Sequence, residues 1–228
     1  MKKKCKILTD RQTEIDILKA ICTFLIICIH VPSVNIVGEY FISISRIAVP
    51  IFFIITGFFY SDTLKKNGEY RQIKKIIFLI LISNALYLVY DVVYSIMLGN
   101  LGIFLDMFQV KNLIMFVFFN ESPFKEHLWY LNAILYVLLI VLIVDKLSCR
   151  KILYIMTPML LLGDLLLGKY SILFFKREFS HFIVRNFLFV GIPYFSIGCF
   201  IKKGFGMRIK KKILIKPELP VESATQKF

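Results

Sequence analysis

The sequence predicts an all-α fold, a polytopic integral membrane helix bundle of about six transmembrane helices plus one amphipathic or re-entrant segment. Three observations carry this expectation. Of the 228 residues, 58% are hydrophobic and only 19% are charged, with a mean hydropathy of +0.73; a soluble domain holds about 45–50% apolar and about 25% charged residues. The apolar residues gather into runs as long as a bilayer is thick, which a soluble core does not need. The basic residues fall between those runs, where they orient a membrane protein and meet anionic lipid.

The elements follow in order. Residues 1–16 are polar and basic. The first apolar run, Ile17 to Val37, starts late, outlasts a signal core and lacks a small-residue cleavage site, so it reads as a spanning helix and not a signal peptide. The second run is Phe41 to Tyr60, followed by the basic loop SDTLKKNGEYRQIKK at 61–75. The third is Ile76 to Leu98. Residues 99–126 are mixed, and their apolar stretch 113–119 is too short to span. Run four is Leu128 to Val144, then the loop DKLSCRK; run five is Ile152 to Leu167; run six is Phe187 to Ile201. This gives one membrane domain, 1–204, and a basic, polar tail, 205–228.

Charge sets the expected orientation. With the N-terminus in the cytoplasm, the inner pieces 1–19, 61–75, 145–151 and 202–216 hold 21 Lys and Arg, and the outer pieces 99–127 and 169–185 hold 6. Both termini are then cytoplasmic, and Tyr40, Trp129, Tyr130 and Tyr170 fall near the outer interface. The net charge of +14 lies in these loops and not on a basic, aromatic-interleaved soluble module, so nucleic acid is not an expected partner. The five cysteines show no zinc or redox spacing and read as packing residues. No metal is expected. Internal repeats, phosphate-binding glycine loops, GxSxG, HExxH and dinucleotide fingerprints are absent from the sequence.

Ionisable side chains are costly in lipid and normally face a partner or a wet cavity. Run one carries Lys19 and His30. Eleven residues at about 100° each set one nearly above the other, about 16 Å along the axis, and Asp16 shares that face. His30 either exchanges a proton as a general base, or hydrogen-bonds a neighbouring helix or sits near the outer headgroups beside Pro32. Arg46, near the outer end of run two, either snorkels outward or binds an anionic group; Pro50 and Gly57 loosen its helix. Run three holds Asn84, Tyr87, Asp91 and Tyr94 at helical spacing on one face. That stripe either bonds helix to helix or walls a polar cavity, with Asp91 as a partner for Arg46 or His30. In ESPFKEHLWYLNA, Glu121, Glu126 and His127 sit at the outer rim and Asn132 enters the membrane. His127 and Trp129 act either as interfacial anchors or, with Asn132, Asn84, Tyr87 and Asp91, as substrate contacts. Asp164 and His181 complete the candidates.

Taken together, four ordered motifs resemble the membrane acyltransferase-3 family of bacterial O-acyltransferases. They are RQTEIDILKAICTFLIICIH, with a basic residue and a histidine separated by ten positions; SRIAVPIFFIITGFFY, with Thr56 where serine is common; HLWYLNAILYVLLI; and RNFLFVGIPYFSIGCFI. They cover residues 11–203. The resemblance implies transfer of an acyl group, expected to be acetyl, from cytoplasmic acyl-CoA to a hydroxyl of a cell-envelope carbohydrate or similar acceptor, in the bacterial cytoplasmic membrane. It implies that His30 takes the acceptor proton or carries the acyl group, that Lys19 holds the CoA phosphates or orients His30, and that Arg46 stabilises negative charge. Family members carry more spans than the six runs here, so a C-terminally truncated chain is expected. Two alternatives follow. The membrane part of vancomycin-resistance serine racemases looks like the same family, and GIPYFSIGCFIKKG resembles that subgroup, which implies movement of serine or another small solute. The other is an inactive remnant.

Overall fold

The computed structural model describes residues 13–30, 36–99, 108–119 and 128–214, which are helices and turns with no strand among them. The helices are α1 (Thr13–Ile29), α2 (Ile36–Ser45), α3 (Ala48–Lys65), α4 (Glu69–Met97), α5 (Val110–Phe119), α6 (Trp129–Lys146), α7 (Lys151–Asp164), α8 (Ser171–Phe175), α9 (His181–Val184) and α10 (Ile192–Leu214). A π-helical turn, Leu165–Lys169, follows α7, and another, Phe187–Gly191, precedes α10. Among the described residues, five stretches are long and apolar enough to cross a membrane: Gly38–Lys65, Glu69–Met97, Trp129–Lys146, Lys151–Gly168 and Phe187–Gly204. The protein is an all-α, multi-pass membrane bundle. The first apolar run is represented by α1, whose 17 residues rise about 26 Å, short of a hydrocarbon core of about 30 Å.

The helix of the second run is interrupted at Arg46 and Ile47. Pro50 has no N–H to give the Arg46 carbonyl, while Arg46 N still donates to Ile42 O at 3.2 Å. Ile47 N donates to Ile44 O at 3.1 Å, and the α ladder resumes with Ile51 N to Ile47 O at 3.2 Å. The apolar stretch after the third run forms the short helix α5, whose 10 residues rise about 15 Å and do not span. The sixth run continues as helix beyond its expected end, through Leu214.

Two helices stop with the same device. Gly68 N donates to Thr63 O and Asn67 N to Leu64 O, both at 2.9 Å; Cys149 N donates to Val144 O and Ser148 N to Asp145 O, both at 3.0 Å. Asn67 and Ser148 take the left-handed conformation, φ 48° and 56°. This paired bonding is the Schellman C-cap. It reverses the chain within a few residues and ties α3 to α4 and α6 to α7 at one end of the bundle.

The bundle is organised around α3 and α10, which run parallel. Gly57 faces Phe195, Gly198 faces Ile54, and the Cys199 thiol donates to the Gly57 carbonyl at 3.3 Å. A Cβ on Gly57 would stand 2.0 Å from the Phe195 carbonyl oxygen, and one on Gly198 2.0 Å from that of Ile54. Small residues permit this backbone-to-backbone approach, which drives helix association where lipid is as apolar as leucine. The core lies behind that contact: Phe53, Ala133, Ile134, Val137, Leu138, Val141 and Phe195 pack between α3, α6 and α10. α4 runs antiparallel to α6, with Tyr70 beneath Lys146 at one end and Tyr87 beside Leu128 at the other. Its outer face, with Phe78, Leu81, Leu86, Val89 and Val93, is exposed, as a lipid-facing surface is.

Alanine at Gly57 or Gly198 is expected to cost about 1–3 kcal/mol, because the new methyl meets backbone that cannot swing aside. Alanine at Gly204, which has nothing within 4 Å of the added carbon, is the control. Thermal unfolding in detergent checks this, and equal melting of Gly57→Ala and wild type would refute it.

Candidate functional site

One end of the bundle gathers cations from every long helix, and side chains of α1, α3 and α10 meet there on an aromatic platform. Phe58 and Phe59 of α3 sit edge to face with ring centres 5.3 Å apart. The Lys19 ammonium of α1 lies 5.1 Å from the centre of Phe59. Lys202 of α10 lies 4.5 Å from the centre of Phe58 and 5.9 Å from that of Phe59. Each lysine also meets one carboxylate: Lys19 Nζ is 3.2 Å from Asp16 Oδ1, and Lys202 Nζ is 2.8 Å from Asp62 Oδ2. Lys65 approaches the other oxygen of Asp62 at 3.8 Å. A cation over a ring gains about 0.5–2 kcal/mol, more as water is excluded.

Beside this platform, Arg150 grips Asp145 with two parallel bonds, Nε to Oδ1 at 2.6 Å and Nη2 to Oδ2. The guanidinium lies 5.9 Å from the ring centre of Tyr60. Tyr154 and Cys199 border the pair. The hydrogen-bonded Asp145 carboxylate raises the Arg150 pKa above its ordinary value, against the opposing effect of burial, so the cation is permanent.

The three residues expected to be catalytic divide between the two ends. Lys19 belongs to the platform. α1 is joined to α2 by residues 31–35, while Lys19 meets Phe59 near the far end of α3, so α1 is antiparallel to α3. Eleven residues along α1 from Phe59 bring His30 level with the turn that carries Arg46. His30 closes α1, with its N–H donating to Ile27 O at 3.0 Å; both His30 and Arg46 are exposed. Lys19 is thus about 16 Å along the helix axis from His30, far beyond any contact that would orient it.

The expected substrate contacts also come together, on α4 and the start of α6. The antiparallel register from Tyr70 and Lys146 sets Tyr87 level with Trp129 and Asn84 level with Asn132. Asp91 and Asn132 are buried, 4% exposed each, and Asn84, Tyr87 and Trp129 are half-buried. An open groove of about 440 Å³ is lined by Ser83, Leu86, Tyr87, Tyr90 and Leu128. Asn84 Nδ2 donates to its own helix at Ile80 O, 2.7 Å. Tyr94 departs from the stripe: it is exposed and stacks on Tyr90 with ring centres 6.1 Å apart. Ten residues at about 100° each leave Tyr94 about 80° from Asn84, whereas Ser95 returns to within about 20°. Ser95 is accordingly 1% exposed and belongs to the polar face. His127, with Glu121 and Glu126, lies outside the described residues. Asp164 is half-buried where α7 passes into its π turn.

Sequence reasoning missed Phe58, Phe59, Asp62, Asp145, Arg150 and Lys202. Lys202 and Arg150 entered only as charges. Asp62 and Asp145, each an acid at the end of an apolar run beside lysine, are the signal that would have found them. Among the described residues, no group of three or more His, Cys, Asp and Glu side chains is placed to hold a metal ion.

A family model described as an acyltransferase domain matches residues 12–219. No curated protein and no solved structure matches the chain.

Arg150→Ala leaves a carboxylate that is 13% exposed without its two bonds, an expected cost of about 1–3 kcal/mol. Adding Asp145→Ala is expected to recover part of that loss. Unfolding midpoints of the two single variants and the double variant check the coupling; a wild-type midpoint for Arg150→Ala would show the pair contributes nothing.

Proposed function

The chain belongs to the acyltransferase family whose model spans most of its length, and from that premise we propose that it moves an acyl group, acetyl in the simplest case, from cytoplasmic acyl-CoA to a hydroxyl of a cell-envelope carbohydrate or similar acceptor. Membership makes it a membrane acyltransferase; the donor, the acyl group and the acceptor are the proposed part. By the positive-inside rule, the cation-rich end would face the cytoplasm. Donor phosphates would meet Lys19 at that end, and acceptor would approach from the end of His30 and Arg46.

The observation that carries the reading is the placement of Lys19 and His30 on one helix, about 16 Å apart along its axis. A donor anchored by its phosphates at one site must present its thioester at another, and the extended pantetheine arm joins the two. His30 would take the proton of the acceptor hydroxyl as its oxygen attacks the thioester carbonyl. The carbon–sulfur bond then breaks, and the departing thiolate takes that proton from the histidine. Arg46 would stabilise the oxyanion that develops between those events. The polar face of α4, with Asn84, Tyr87 and Asp91, and the start of α6, with Trp129 and Asn132, would offer hydrogen-bonding and ring surfaces to a hydroxyl-rich acceptor.

Membranes supplied with radiolabelled acetyl-CoA test this. His30→Ala is expected to lower label transfer to envelope polysaccharide by about a hundredfold or more, at equal protein levels. Arg46→Ala is expected to reduce the maximal rate. Absence of transfer by abundant wild-type protein would sink the acyltransferase reading.

A further inference from the structure

Lys202 has no role in the mechanism above, yet its surroundings match those of Lys19. The two lysines come from helices at opposite ends of the sequence. Their ammonium groups lie 5.9 Å and 5.1 Å from the centre of one ring, Phe59. Each rests on the aromatic pair of α3 and bonds one carboxylate, and an ammonium has three donors. The platform restrains both long side chains, so ordering costs that a flexible surface lysine would incur on binding are largely met beforehand. Lys65 adds a third cation at Asp62, so three ammonium groups stand against the two carboxylates of Asp16 and Asp62.

We propose that Lys19 and Lys202 form a single phosphate seat on the Phe58–Phe59 platform, with Lys202 as a binding residue contributed by α10. A phosphate or diphosphate would take donors from both lysines and bridge α1 to α10. The chemistry of the seat stands on this geometry. Its natural occupant as the diphosphate of an acyl-CoA donor rests on the proposed function; the other source of the same chemistry is a phospholipid headgroup.

The experiment uses the full chain in nanodiscs of zwitterionic phosphatidylcholine, titrated with inorganic pyrophosphate and with coenzyme A by calorimetry. Lys19→Gln and Lys202→Gln are each expected to weaken binding about tenfold, and Lys74→Gln, an exposed cation on α4, to leave it unchanged. Asp62→Asn separates binding from a structural role. It keeps the Lys202 charge while removing a competing carboxylate, so a phosphate seat is expected to bind as tightly or more tightly. If Lys202 serves only to pin α10 to α3, Asp62→Asn weakens binding as Lys202→Gln does, and the proposal falls. It also falls if Lys202→Gln binds like wild type, or if wild type binds neither probe nor phosphatidylglycerol. Adding phosphatidylglycerol to the disc separates the sources. Loss of pyrophosphate affinity in wild type but not in Lys202→Gln assigns the seat to lipid phosphate; retained affinity assigns it to the soluble donor. Lys202-dependent binding without acyl transfer keeps the seat and removes the proposed function. Acyl transfer with an unchanged donor KM in Lys202→Gln does the reverse.

Discussion

The close approach of α3 and α10 at Gly57 and Gly198 is the constraint on which the rest of the structure depends. With carbonyl oxygens where side chains would otherwise stand, the two helices have one permitted register. That register carries Asp62 to Lys202 at one end and sets Phe53 against Gly191 toward the other. It also fixes α6, because Phe53 meets Tyr130 edge to face at 4.9 Å and Val137 fills the space over Gly191. α4 and α7 are then placed by their short connections to α3 and α6. A lateral shift of one turn between α3 and α10 would separate every side-chain pair at the cation-rich end.

Lipid makes that end consequential. Asp62 and Lys202 both lie in the last turn of membrane-spanning stretches, where an unpaired charge still bears part of the cost that lipid imposes. Pairing removes most of this, and the rings of Phe58 and Phe59 supply a further favourable surface for the ammonium groups. Asp145 and Arg150 solve the same problem with a bidentate bond. Stability and binding capacity therefore draw on the same groups: what makes the charges tolerable at the membrane edge also holds them in fixed positions for an anion.

Much of the fold was legible because a bilayer imposes a length on every crossing segment, and the apolar runs from Phe41 onward coincide with the observed spans. The face of α4 was legible too, at Asn84 and Asp91, though spacings of three and four drift, and Ser95 in place of Tyr94 shows where the drift matters. Three features left no mark that composition could reveal. The π turns at Leu165–Lys169 and Phe187–Gly191 differ from α-helix only in bonding. The C-caps at Asn67 and Ser148 use residues without the usual glycine signal. The partnership of Lys202 with Phe58 and Phe59 depends on a register set by two glycines 141 positions apart in the chain, and no local pattern encodes it. Lys19, His30 and Arg46 were legible as ionisable residues in apolar runs, and helical rise already set Lys19 about 16 Å from His30; the resemblance added only the roles they would play.

The two ends differ in construction in a way that fits that division. At the cation-rich end, α3 passes to α4 and α6 to α7 through a few residues, each closed by a bonded C-cap, and α1 and α10 are pinned to the same aromatic pair. At the other end the connections are longer, and one of them contains α8 and α9. Tight turns and paired charges hold a fixed anchor with little entropy to lose on binding. Long connections tolerate change in sequence and length. Under the proposed function this arrangement would suit a fixed donor and a changeable acceptor: the cation-rich end is constrained by backbone contact, and the other end can be reshaped without disturbing the register that α3 and α10 set.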